Sequence, residues 1–350
     1  MRAVILRSNR LSVGETPDPE PGAGEMLVSV VSTAICASDV HYMDNPEAGT
    51  DDPTGRSRYD PDRDVVLGHE FVGEVIAHGP GCTGRFPVGT RVTSIPIRLV
   101  DGGAGGTRII GQHPDFPGSF AEKLVVAEVL AREVPRAVDP DAAALTDAFA
   151  VGEFYVRNAR VEAGEIPLVI GAGAIGLSVV AALVRRGIEP VVVSDFDAGR
   201  RELARDAFGA HILVDPALES PFEVWRTVRA QRELWGSAVV FECAGAPGLI
   251  QRLIAEADMG TRIACAGGWY TGDALDITAA TRTGVNVQFG GGPMPEDWYG
   301  TLDAIAAGAL DPLPSVGAVI GLDEVPAALD QVRRSRGPAR VIVHPNGDPR

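Results

Sequence analysis

Over the first 150 positions, short apolar runs alternate with turns rich in Gly, Pro and Asp. Strand-like runs fall at 3–6, 26–32, 73–77, 91–95 and 121–126, with turn signals such as PDPEPGAGE and GPGCTG between them. That pattern predicts a compact antiparallel β barrel or sandwich. Helical periodicity is nearly absent until Asp141, where AAALTDAFAVGEFYVRNA predicts a helix able to bridge two domains. From about 163 to 290 the pattern changes. Strands at 168–170, 190–194, 212–214, 238–242, 261–266 and 285–289 alternate with helices at 175–186, 199–208, 222–229 and 249–257. Such alternation calls for an α/β domain with a doubly wound parallel sheet. The tail, 291–350, holds helices at 298–307 and 324–335 and a last strand at 340–344, and is expected to return partly to the first domain. GGAGG at 102–106 reads as a flexible loop.

Inside the alternating region, Gly171, Gly173 and Gly176 follow the strand 168–170 in GxGxxG spacing. The first glycine allows the tight turn, the second lets backbone approach a pyrophosphate, and the third lets helix and strand pack closely. The helix that follows aims its N-terminal amides at that phosphate. Asp195 ends the next strand, 19 residues past Gly176. A carboxylate there accepts hydrogen bonds from an adenosine ribose and repels a 2′-phosphate, so the spacing favours NAD over NADP.

Composition narrows the partners. At 350 residues the chain suits two domains, and 45% hydrophobic content describes a globular protein. Lys plus Arg is 31 and Asp plus Glu is 47, giving a net charge of −16. Such a surface repels nucleic acid and anionic membrane. The N-terminal apolar run is too short for a signal peptide and no run of about 18 apolar residues follows, so a cytoplasmic location is expected. The four cysteines, Cys36, Cys82, Cys243 and Cys265, contain no CxxC, which argues against a disulfide framework and a four-cysteine zinc.

Two clusters offer chemistry, ICASDVH at 35–41 and LGHEFVG at 67–73. Thiolate and imidazole suit Zn²⁺, and a catalytic site needs three protein ligands with one position open. Cys36 and His69 are natural ligands; Asp147 is a candidate third, with Glu70 its competitor or an exchangeable fourth. A lone Cys is also a small buried hydrophobe and a lone His a satisfied core residue, and spacing does not decide between these readings.

ICASDVH, GHEFVGEV, PGSFAEKLVV, LTDAFAVGEFYV, VIGAGAIGL, VFECAG and GLDEVPAALDQV, in that order, resemble successive signatures of the medium-chain, zinc-dependent alcohol dehydrogenase superfamily. The resemblance covers nearly the whole chain. It implies a GroES-like β-barrel catalytic domain, 1–150 completed by 291–350, beside an NAD-binding Rossmann domain, 151–290, with the active site in the cleft. Cys36, His69 and Asp147 match the zinc ligands, and Glu70 the acid that sits beside the metal or binds it. Asp39 matches the carboxylate that orients the histidine ligand. Ser38 matches the hydroxyl that takes the substrate proton, and His41 the outer end of that relay. Ala174 and Ile175 match pyrophosphate contacts, Arg200 the basic residue past the ribose acid, and Ala244 and Gly267 the nicotinamide-side loops.

The implied activity is hydride transfer between an alcohol or polyol, or the matching carbonyl, and NAD. A zinc-independent quinone or enoyl reductase and a non-catalytic nucleotide-binding protein are the alternatives. The family's lobe of four close cysteines is missing, since 98–118 reads RLVDGGAGGTRIIGQHPDFPG, so one catalytic zinc and no structural zinc is expected. The interval from Cys36 to His69 is long for the family; its insert, 44–64, is either a loop at the active-site rim or a solvated excursion. Phe120, Phe149, Trp269 and Tyr270 are candidate pocket residues. The apolar strand 285–289 could pair with a second copy, giving a homodimer or homotetramer.

Overall fold

The computed structural model describes residues 1–45, 52–234, 238–268, 274–334 and 338–347. The chain divides into two compact units, Met1–Asp147 with Ile305–Arg350, and Ala148–Ala304.

The first unit is built on a seven-stranded sheet ordered Ala131–Glu133, Arg91–Ser94, Glu70–His78, Glu25–Ala34, Arg340–Val343, Val316–Ile320, with Lys123–Ala127 also pairing with Glu25–Ala34. Alternation places Met26, Val28 and Val30 on one face of the long strand, in a core with Phe71, Val75, Val92, Leu124 and Val126. Each such side chain contributes roughly 1.5–3 kcal/mol by leaving water. A second core joins the two ends of the chain: Val4, Leu6, Val40, Met43 and Leu67 pack with Val325, Leu329, Val341 and Val343. The tail strand Arg340–Val343 runs antiparallel to Glu25–Ala34, with Val343 opposite Thr33.

Several short elements escape the sequence pattern. The helix Ala37–Asp44 lies where no helix was expected, and the strands Arg10–Glu15, Ile97–Leu99, Thr107–Ile109 and Val316–Ile320 and the helix Ile277–Thr283 were also unforeseen. GGAGG is the turn of an antiparallel hairpin between Ile97–Leu99 and Thr107–Ile109, closed by Val100 N donating to Gly106 O at 3.0 Å. The described part of the insert, 52–64, is pinned to three places: Arg58 O accepts from the Tyr42 hydroxyl at 2.6 Å, Arg56 O from Ile109 N at 2.9 Å, and Pro61 O from the Ser8 hydroxyl at 2.9 Å. It is therefore tied through Tyr42 to the helix Ala37–Asp44, while most of its side chains stay exposed. The bridging segment forms two helices, Pro140–Ala144 and Thr146–Asn158, and the boundary between units falls after Asp147.

The second unit holds a six-stranded parallel sheet ordered Ile212–Val214, Val192–Ser194, Leu168–Ile170, Val239–Glu242, Arg262–Cys265, Asn286–Phe289. In chain order within this unit that is 3-2-1-4-5-6, the doubly wound arrangement whose ligands lie beyond the carboxyl ends of the strands where the order reverses. The opening helix, Ala174–Arg185, packs so closely that a Cβ at Gly176 would stand 1.8 Å from Gly171 O. On its far side, a Cβ at Gly152 would meet the Ser178 carbonyl carbon at 2.3 Å, and Glu153 ion-pairs with Arg185 and Arg186 at 3.3 and 2.5 Å. Among the described residues, no helix is long and apolar enough to cross a membrane.

Candidate active site: a buried Cys–His–Glu group and a glycine-loop crevice

In the first unit, Cys36 caps the N-terminus of Ala37–Asp44, and the capping box is closed by Asp39, whose Oδ2 accepts from Cys36 N at 3.0 Å. The other oxygen of Asp39 accepts from Gly68 N at 3.3 Å and lies 3.3 Å from His69 Nδ1. One fully buried carboxylate thus ties the cysteine's helix to the histidine's loop. That loop has no room to move: a Cβ at Gly118 would come within 2.3 Å of both Gly68 O and Leu67 O. Ser38 Oγ sits 3.2 Å from His69 Nε2, and His41 follows three residues on, on the same helical face.

Glu70 opens the strand Glu70–His78 and is 1% exposed. Its Oε2 pairs with the guanidinium of Arg340, itself buried at the start of the last strand, while Oε1 has no hydrogen-bond partner. Ligand atoms of Cys36, His69 and Glu70 all lie within 4.8 Å of one another, the one such group among the described residues. Burial alone would push the Cys36 thiol up, but its hydrogen bond to His69 and the charges of His69 and Arg340 carry it below the ordinary thiol value. Burial pulls His69 down, and the charges of Asp39 and Cys36 lift it well above the ordinary imidazole value. A thiol that gives up its proton more readily than usual, an imidazole and an orphaned buried carboxylate oxygen form a donor set that fits Zn²⁺.

Asp147 lies in the first turn of Thr146–Asn158 and is not in this group. Arg340 was missed by sequence reasoning, although an arginine opening the apolar run 340–343 is a visible signal. Phe120 and Phe149 are buried at 0% and 2% exposure, and Trp269 and Tyr270 lie outside the described residues. His41 is partly buried, which lowers its imidazole below the ordinary value against the opposing charge of Asp44.

The second unit carries the crevice. Gly171, at φ +94°, turns the chain against Ala244, whose N stands 3.0 Å from the place of a Gly171 Cβ. Gly173 has open space where its Cβ would be, and Ala174 and Ile175 open the helix behind it, so backbone amides face a cradle free of side chain. This fits a dinucleotide pyrophosphate. Asp195 Oδ2 accepts from Ala172 N at 2.7 Å and Oδ1 from Asp197 N at 2.8 Å. It lines a cavity of about 310 Å³ with Gly171, Phe196, Ala244 and Arg252. Arg200 lies on Ala198–Asp206, where its N–H is capped by Asp197 at 2.8 Å, and Arg201 instead reaches the Asp195 carbonyl at 2.6 Å. Gly267 abuts the Gly245 backbone, joining the two remaining loops.

Comparison with known proteins places this arrangement. Residues 22–136 match the family profile described as the alcohol dehydrogenase GroES-like domain, and 174–307 that described as zinc-binding dehydrogenase. L-threonine 3-dehydrogenase of Klebsiella pneumoniae is 30% identical over 329 residues, covering 91% of this chain and 92% of that protein. Galactitol-1-phosphate dehydrogenase from Escherichia coli superposes with a TM-score of 0.81 at 21% identity, over 99% of this chain and 100% of that one. A candidate zinc-binding dehydrogenase from Sinorhizobium meliloti, solved bound to NADP, gives a TM-score of 0.78 at 27% identity, over 98% and 99% of the two chains.

Proposed function

The chain belongs to the medium-chain, zinc-dependent alcohol dehydrogenase superfamily, and from that premise we propose that it transfers hydride between an alcohol or polyol, or the matching carbonyl, and NAD. The observation that carries this reading is the buried group of Cys36, His69 and Glu70 on a chain that also holds the glycine cradle. Cys36, His69 and Glu70 would hold the metal, with Asp147 a further ligand. Zinc supplies Lewis-acid polarisation of the substrate oxygen and NAD supplies the hydride acceptor.

The protein's own part is binding, orientation and proton handling. Ser38 accepts the substrate hydroxyl proton, and His41, one turn along the same helix, delivers it to solvent. The low affinity of His41 for a proton suits release rather than retention. Arg340 balances the charge of Glu70 and Cys36, and Asp39 fixes the imidazole ring. Asp195, with its carboxylate at the cavity wall, supports NAD over NADP through the ribose hydroxyls. The likeness to threonine dehydrogenase adds β-hydroxy amino acids to the substrates worth trying first.

Metal analysis with a panel of primary, secondary, cyclic, polyol and hydroxy-amino-acid substrates, read by NADH absorbance, tests the proposal. Stoichiometric zinc and NAD-linked turnover that Cys36→Ser abolishes are expected. Zinc-free purified protein, or full turnover in the variant, would overturn it.

A further inference from the structure

His69 and Glu70 reach the metal group from a loop and from the first residue of a strand, while Cys36 follows the end of a different strand, Glu25–Ala34. The two approaches have to be held in step. Antiparallel register sets Ala34 opposite Glu70 and Thr33 opposite Phe71. Thr33, three residues before Cys36, is 0% exposed, and its hydroxyl lies 2.7 Å from the Glu70 carbonyl oxygen. The same hydroxyl lies 2.6 Å from Oγ of Ser119, which is also 0% exposed.

One proton per hydroxyl fixes the direction of this chain of bonds. A carbonyl oxygen only accepts, so Thr33 donates to Glu70 and Ser119 donates to Thr33. Ser119 also donates its backbone N–H to Gly68 O at 2.9 Å, and its Oγ stands 2.8 Å from the place of a Gly68 Cβ. The residue before His69 is thus held by Ser119, the residue after it by Thr33, and the two holders are bonded to each other. His69 sits at the middle of a closed bracket.

Ser32 supplies a contrast one residue away. Its hydroxyl is equally buried, falls on the opposite face of the strand and has no hydrogen-bond partner. The strand therefore accepts a buried hydroxyl without a bond at one position, and at the next it ties one to a residue of the metal group.

We propose that Thr33 and Ser119 are positioning residues for the metal group: they lock the His69–Glu70 backbone in register with Cys36, so that the three ligand atoms are assembled before a cation arrives. Neither touches substrate, cofactor or cation. The inference rests on the zinc reading above and adds to it the pair of hydroxyls that sets how firmly the ligands are held. Removing the Thr33 hydroxyl takes a bond from the Glu70 carbonyl and leaves the buried Ser119 hydroxyl without its acceptor, and both regain partners only if the loop shifts.

The test is zinc affinity, by competition with a chromophoric chelator, together with the absorption of the cobalt-loaded protein, whose ligand-field and thiolate-to-metal bands follow ligand geometry rather than fold stability. Thr33→Val, close in size, should weaken zinc about 10–100-fold and shift the cobalt bands. Ser119→Ala, which spares the bond to Glu70, should cost about threefold to tenfold. Thr33→Ser keeps the donor and should return both affinity and bands to wild type; Ser32→Ala should leave both unchanged. In the metal-free wild type, amide hydrogen exchange across 67–71 should already be slow, and Thr33→Val should speed it. Wild-type affinity and bands in Thr33→Val, or an equal loss in Ser32→Ala, would overturn the inference and leave the zinc reading intact. If Thr33→Val does not fold, Ser119→Ala decides, and unchanged affinity and bands there sink the inference equally. Wild-type protein that takes up no zinc removes the metal reading, and this inference with it.

Discussion

Glu70 and Glu242 stand at opposite ends of their strands in two different units, both buried and both with one carboxylate oxygen lacking a hydrogen bond. Glu70 has the Arg340 guanidinium against its other oxygen; Glu242 has backbone amides instead, those of Ala244, Gly245 and Gly267. A buried carboxylate with a cation is held ionised and available to a metal, whereas one with amides alone is penalised by desolvation and drifts toward neutrality. The first suits permanent coordination. Burial of the same side chain thus gives two behaviours, decided by a single partner.

The comparison breaks most visibly if the partner is removed. Arg340→Ala leaves Glu70 and Cys36 without their cation, and a loss of about 3–5 kcal/mol is expected, as for other broken buried pairs. Denaturant unfolding measures it, and a loss below about 1 kcal/mol would show that the guanidinium does not neutralise the site. Glu242→Gln should act in the opposite direction at high pH. Its carboxyl is raised in the folded state, so the stability it contributes is complete below its unfolded value of 4.5 and is lost as pH climbs through about 7. The wild type should therefore fall behind the glutamine variant by on the order of 3 kcal/mol by pH 8, with little difference at pH 4.5. Denaturation midpoints that keep a constant spacing across this range would contradict the assignment.

Smaller effects sharpen the picture. Asp39→Asn keeps the size but loses the charge beside His69 Nδ1, and zinc affinity should drop about 10–100-fold, read by competition with a chromophoric chelator. Asp195→Ser should raise NADP turnover relative to NAD by about tenfold, roughly 1.4 kcal/mol, in initial-rate comparison. Strong NADP preference in the unmodified protein would reverse the cofactor assignment.

How legible each region was in the sequence follows from how local it is. The cradle was readable because strand, glycines, helix and Asp195 all fall within 168–195, and the parallel order follows from alternation. The metal group was harder. Ala37–Asp44 is capped by cysteine rather than by a hydroxyl or carboxylate side chain, and its buried face, Asp39, Val40, Tyr42 and Met43, includes a carboxylate, which breaks the apolar periodicity of so short a helix. Short strands such as Thr107–Ile109 are held by tertiary pairing that no local pattern announces. Arg340 reaches Glu70 only because the tail strand inserts beside Glu25–Ala34, a placement set by sheet pairing far along the chain. Glu242 was passed over because an acid ending an apolar run resembles an ordinary strand end until its burial is known.

The insertion of that tail strand has a consequence for biosynthesis. Arg340 follows Glu70 by 270 residues, so at roughly 5–20 residues per second the ribosome leaves the first half of the site without its counter-charge for about 15–50 seconds. Until then Glu70 has no guanidinium, and the sheet strand that will lie beside Ala34 is not yet made. Completion of the Cys36–His69–Glu70 group is thus a late event for the nascent chain, and a change that disturbs the strand Arg340–Val343 acts on residues some 270 positions earlier.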